Sequence, residues 1–135
     1  MNTEKNAIEQ VLKNFEETWN GHDVNDFSLL FATDADFTNV FGMQSHGREA
    51  IKQFHAPLFA TMFKSSILTI AEIKIRFIKS DVAAVDANWK MSGATDPNGN
   101  PWLDRNGLIN LIMTPGNDGW VITVMHNMDI PKLPS

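Results

Sequence analysis

The stretch from Glu72 to Ile78, "EIKIRFI", alternates polar and apolar side chains, a two-residue period that no helix can bury as one face. It predicts a strand within "SILTIAEIKIRFIKS", with Ile67, Thr69, Ala71, Ile73, Ile75 and Phe77 on one side and Leu68, Ile70, Glu72, Lys74, Arg76 and Ile78 on the other. The pattern continues in "DVAAVDANWKMSG", where Ala83, Val85, Ala87, Trp89 and Met91 share a face and Asp86, Asn88 and Lys90 take the opposite one. "NGLINLIMT" and "WVITVMHNMDI" read as further strands, separated by the turn "PGNDG", and "ATDPNGNPW" has the Pro, Asn and Gly content of a loop. The tail "PKLPS" is expected to stay out of the sheet, because proline lacks the N–H a ladder needs.

The first half carries a different period. Ile8, Val11, Leu12, Phe15 and Trp19 recur at helical spacing and predict a helix over about residues 4 to 20. Gly21 is expected to end it in the left-handed conformation. Asp23 can cap a second, short helix with Phe27, Leu30 and Phe31 as its apolar stripe, ending near Ala32. "FTNVFG" then reads as a strand, Phe37 to Phe41, closed by Gly42. In "MQSHGREAIKQFHAPLFATMF", Ile51, Phe54, Leu58 and Met62 share one side of a third helix, and Pro57 predicts a kink or an early end. Helices segregated before an antiparallel meander give an α+β class, with N-terminal helices packed in the concave face of a curved, mostly antiparallel sheet around a conical cavity.

Composition narrows what such a cavity does. A chain of 135 residues fits one domain with a real core. There is no cysteine, hence no thiolate nucleophile and no Cys-based zinc site, and a reducing compartment is the natural expectation. The N-terminus "MNTEKNAIEQ" lacks the basic segment and apolar run of a signal peptide, and no apolar run approaches the ~20 residues that span a bilayer, so a cytoplasmic protein with no membrane partner is expected. Eleven basic against sixteen acidic residues, net −5, with the basic ones scattered, leave no footprint for nucleic acid. Nine Phe and four Trp accompany no Tyr, which excludes any mechanism needing a tyrosyl hydroxyl.

"WNGHDVNDFSLLFATDADFTNVFGMQSHGREAIKQF", with its helix break, its "DA" before the first strand and its glycine-led third helix, resembles the N-terminal half of the nuclear transport factor two-like superfamily. "GWVITVMHN" is similar to that superfamily's closing strand, and the nearest look is to the SgcJ/EcaC-type and SnoaL-like small proteins. The resemblance implies the fold and a pocket but not a reaction, since the superfamily includes ketosteroid isomerases, cyclases, dehydratases and non-catalytic domains. Set beside the ketosteroid isomerases, their general-base aspartate falls on Asn39, their oxyanion tyrosine on Phe15 and their second oxyanion group approximately on Asn110. An amide cannot take the proton and Phe15 has no hydroxyl, so steroid isomerase chemistry is not expected. Asn39 and Asn110 remain as amides that bind a ligand carbonyl or hydroxyl, or that satisfy a neighbouring loop or an internal water.

Histidine is the natural acid–base candidate near neutral pH. His22 falls in the helix break, His46 in the lead-in to the third helix, and His55 near Pro57, facing either the cavity mouth or water. His126 shares a face with Trp120, Ile122 and Val124 if no bulge intervenes, which would turn it towards the helices and make it the catalytic candidate, beside the alternative of a satisfied core histidine. No spacing suggests a metal site, and "PNGNP" and "PGNDG" lack the lysine and helix of a phosphate loop, so neither metal nor cofactor is expected. Asp34 and Asp36 would point the same way in an extended chain and could share a proton, but next to a helix end they read as solvated or bonded to backbone N–H groups; of the Asp104–Arg105 pair, Arg105 could guide an anionic ligand. Phe15, Trp19, Phe41, Phe54 and Trp89 are the expected pocket walls, with Leu58 and Met62 near the opening, a small apolar molecule being the expected ligand. Apolar residues on both faces of strand 67–78 point to a homodimer through the sheet.

Two function classes follow. One is an enzyme, a cyclase, isomerase or dehydratase on an apolar carbonyl substrate, with His126 as acid or base and Asn39 and Asn110 orienting. The other is a non-catalytic domain for hydrophobic-ligand binding or homo-oligomerisation.

Overall fold

Ile8, Leu12, Phe15 and Trp19 fall on one side of helix α1 (Asn2–Asn20) and all four are buried, as their spacing requires. The computed structural model describes residues 2–103 and 105–131; Asp104 and the tail after Pro131 lie outside the described residues. Beyond α1 come α2 (Val24–Ser28), β1 (Phe31–Thr38), β2 (Gln44–His46), α3 (Arg48–Ala60), β3 (Ile67–Lys79), β4 (Val82–Ser92), β5 (Arg105–Gly116) and β6 (Gly119–Asp129). The strands form one six-stranded sheet in the order β2-β1-β6-β5-β4-β3, antiparallel throughout except for the parallel pair β1–β6. The helices cover its concave face, which is the α+β arrangement expected.

The first turns differ from expectation in instructive ways. His22, not Gly21, takes the left-handed conformation (φ 54°), and its Nε2 lies 2.7 Å from the Phe63 carbonyl, which ties the α1 break to the turn after α3. Asp23 does cap α2, accepting from the Asp26 backbone N–H at 3.0 Å. That helix ends at Ser28 rather than near Ala32, because Phe31 already pairs with Ile122 of β6. The "ATDAD" stretch is therefore strand: Ala35 and Phe37 point inward, Thr33, Asp34 and Asp36 stay in water, and Asp36 meets His46 of the short strand β2 at 2.5 Å. Beyond Thr38 the chain turns, so "NVFG" is a loop and not strand. Pro57 sits in the last turn of α3, which stops at Ala60.

Two bulges decide which side chains enter the core. On β3, Ala71 pairs with Asn88 but Lys74 with Asp86, so one extra residue is accommodated at Glu72, whose φ is 54°. The phase flips there: Leu68 and Ile70 before it, and Ile73, Ile75 and Phe77 after it, all turn to the helices. The apolar residues assigned to both faces therefore lie mostly on one, which removes that argument for a sheet-mediated dimer. On β6, Ile122 pairs with Met113 and Val124 with Ile112, leaving Thr123 as the extra residue. From there Met125 is buried and His126 exposed, so the shared face with Trp120 and Ile122 that would have aimed His126 at the helices does not exist.

Candidate functional site

Between α1, α3 and the inner face of the sheet lies a cavity of about 220 Å³, an order of magnitude above the ~10–15 Å³ one water needs. Phe15, Trp19, Phe54, His55, Leu58 and Trp89, all expected there, line it. Phe37 and Met125 complete walls that are almost wholly apolar. Trp19 is fixed by donating from Nε1 to Ser66 Oγ at 3.0 Å and by an edge contact with Phe59, ring centroids 4.9 Å apart. Its neighbour Asn20 both donates to the Leu68 carbonyl at 2.9 Å and accepts from the Leu68 N–H at 2.7 Å, pinning α1 to β3. The walls are therefore held by interactions outside the cavity, as a pre-formed pocket requires.

The mouth is formed by the turn 39–43 and the loop 93–103. Phe41, 64 % exposed, stacks on Trp102 across this opening with ring centroids 6.0 Å apart and planes 26° from parallel. Asn39 also lines the cavity, but its side-chain oxygen accepts from the backbone N–H groups of Phe41 (3.0 Å) and Met43 (2.8 Å). It shapes the turn that presents Phe41. Only its Nδ2 stays open to a ligand.

Polar groups are few in so apolar a space. His55, 3 % exposed, sits among Trp19, Phe27, Phe37, Phe54 and Phe59. Its Nδ1 lies 2.8 Å from the Ile51 carbonyl, an obligate acceptor, so the proton is on Nδ1 and Nε2 carries the lone pair. Burial pushes its pKa down to about 4 despite the Ile51 carbonyl, which acts the other way. His55 is thus neutral at pH 7. Asn127 lines the cavity and accepts from Trp89 Nε1 at 2.8 Å, leaving its amide N–H₂ to donate. Arg105, on the first residue of β5, borders the cavity beside Met91 and Trp102.

Two expected site residues are elsewhere. Asn110 and His126 lie opposite each other on β5 and β6, on the convex side of the sheet. Asn110 donates there to Asp86 Oδ1 at 2.6 Å, in a row that runs from Thr38 through His126, Asn110 and Asp86 to Lys74. Asn127 and Trp102 were missed. The first is hidden by the Thr123 bulge, and the second sits in a loop with no period to read. Among the described residues no cluster of three or more His, Asp or Glu could hold a metal ion, and no helix is long and apolar enough to cross a membrane.

Comparison with known proteins agrees on the fold. No curated protein matches the chain. An uncharacterised cystatin-like protein from Caulobacter vibrioides superposes with a TM-score of 0.87 at 22 % identity, over 96 % of this chain and 91 % of its own. A protein described as a candidate aromatic ring hydroxylase from Novosphingobium aromaticivorans gives 0.83 at 17 % identity, over 99 % and 94 %. A candidate dehydratase of the NTF2-like family from Streptomyces avermitilis gives 0.83 at 14 % identity, over 97 % and 99 %. Likeness at these identities speaks for architecture alone. The sequence pattern of the SnoaL-like domain matches residues 12–126, and the chain belongs to that family.

Proposed function

We propose that this chain is a small-molecule pocket protein for an apolar, ring-bearing carbonyl compound, and that proton transfer on that ligand falls to His55. The observation that carries the reading is the aromatic-walled cavity of about 220 Å³ with one imidazole lone pair at its wall. The aromatic side chains Phe15, Trp19, Phe37, Phe54 and Trp89 on its walls suit the faces of a ring-bearing ligand. In a dehydration, Nε2 accepts the proton from the carbon beside the carbonyl and returns it to the departing hydroxyl, which leaves as water while the electron pair becomes the C=C bond. Isomerisation and cyclisation need the same acceptor. His126 is too exposed, and on the wrong side of the sheet, for this role.

A second reading, passive binding of the same ligand class, is favoured by the low His55 pKa of about 4, which makes the ring a weak base. No carboxylate lines the cavity among the described residues to assist it. The test is a panel of bicyclic ketones and β-hydroxyketones, with binding read by intrinsic tryptophan fluorescence and turnover by product analysis. Turnover lost in His55→Gln with binding retained supports the enzyme; binding without turnover in the wild type leaves the passive domain; no binding at all sinks both. We further propose a homodimer through the convex side of the sheet, where Leu108, Ile112, Val124 and Met128 are among the apolar side chains, with sedimentation equilibrium as its check.

A further inference from the structure

Arg105 is a cation set into an apolar wall. Its side chain is 4 % exposed, and its guanidinium carbon sits 3.6 Å from the centroid of the Trp102 ring and 5.2 Å from that of Trp89. Burying such a charge is costly unless its donors are met. Among the described residues only one of its nitrogens meets an oxygen: Nη2 donates to both oxygens of Asp129, at 3.0 and 3.3 Å, and Asp129 is itself about a third exposed. Nη1 reaches only the Met91 thioether, a weak acceptor, at 3.7 Å, and Nε has no partner among the described residues. Arg105 and Met91 both line the cavity and Asp129 does not, so Nη1, held only by the weak thioether acceptor, is the guanidinium nitrogen nearest the cavity.

From this buried cation, which lines the cavity with Nη1 only weakly met and Nε without a partner among the described residues, we infer that the pocket carries an anion subsite, and that its ligand is an aromatic carboxylate whose ring rests on the apolar walls and whose oxygen meets Arg105 Nη1. A carboxylate oxygen would supply the acceptor that Met91 does not, and a charge-assisted bond in a dry site is among the stronger ones available. Asn127, with a free amide N–H₂ on the same wall, can donate to the second oxygen. Trp102, its ring centroid 3.6 Å from the guanidinium carbon, covers the guanidinium and shields the pair from water. The inference rests on the pocket reading above and adds the ligand's charge to it.

Calorimetric titration with 2-naphthoate and with the neutral 2-naphthalenemethanol separates the two. The wild type should bind the carboxylate about tenfold or more tightly than the alcohol, and Arg105→Met should bring that ratio near one while still taking the alcohol. Asp129→Asn removes the competing carboxylate outside the cavity and should tighten naphthoate several-fold with the alcohol unchanged, which keeps the idea testable should Arg105→Met not fold. Equal affinity for both probes in the wild type, or a preference that both variants leave unmoved, overturns the anion subsite but not the pocket. Failure of both probes to bind overturns the pocket as well.

Discussion

Asn110 faces His126 across the β5–β6 ladder on the convex side of the sheet, with Asn110 tied to Asp86 at 2.6 Å. The whole thickness of the sheet separates this pair from the cavity. His126→Ala should therefore leave ligand affinity and any turnover within about twofold of wild type, and stability within about 0.5 kcal/mol, as for an ordinary surface substitution. Loss of turnover in this variant with the fold intact would contradict the assignment of proton transfer to His55.

Asn39 is predicted to act first through its turn. Asn39→Ala removes the acceptor for two backbone N–H groups and should cost about 1 to 2 kcal/mol in chemical denaturation, whereas Asn39→Asp keeps that acceptor and should be close to neutral. The aspartate variant has no N–H₂, so a drop in ligand affinity at preserved stability would reveal a direct bond to the ligand.

His55 makes the fold sensitive to acid. Its pKa falls from 6.5 unfolded to about 4 folded, so between these values the unfolded chain binds more protons. The stability contributed by neutral His55 is whole above pH 6.5 and drains away as pH falls through 4, by roughly 3 kcal/mol in all. His46 acts in the opposite sense, its pKa raised by the hydrogen bond to Asp36, but that pair is exposed and screened by water. Denaturation of wild type and His55→Gln at pH 7.5 and 4.5 should show a smaller loss in the variant; equal losses would refute the linkage.

Gly107 is a spacer for the cavity wall. A Cβ there would run into the Met128 carbonyl and the Trp89 ring, both in contact range already. Gly107→Ala should cost about 3 kcal/mol, lowering Tm by on the order of 10 °C, and should weaken ligand binding by displacing Trp89 from Asn127. A normal Tm would mean that the sheet yields more easily than its packing suggests.

What the sequence disclosed and what it hid divide along a physical line. Helical and two-residue periods are local, so α1, the cap at Asp23 and the strands from Ile67 to Asp129 were legible, as were the wall residues Phe15, Trp19, Phe54 and Trp89. Register is not local. The bulges at Glu72 and Thr123 are settled by pairing with β4 and β5, and each reverses the faces of everything beyond it. This misplaced His126 and concealed Asn127. Asn110 was misplaced for a different reason: "LINLI" is apolar on both faces of a strand whose convex side carries Leu108 and Ile112 as well. Asn39 was visible as a polar residue among apolar ones, yet its spacing to Gly42 was the turn signature that mattered.

Phe41 and Trp102 belong to two separate loops and meet over the mouth of the cavity. A ligand that passes between these loops parts the pair on the way in and again on the way out, while neither ring has to change its contacts with the ligand's polar end. Their stacking therefore governs residence time more than equilibrium affinity. In stopped-flow binding, Phe41→Ala should raise the association and dissociation rates together and leave Kd nearly unchanged; a change in Kd alone would make Phe41 a wall and not a gate.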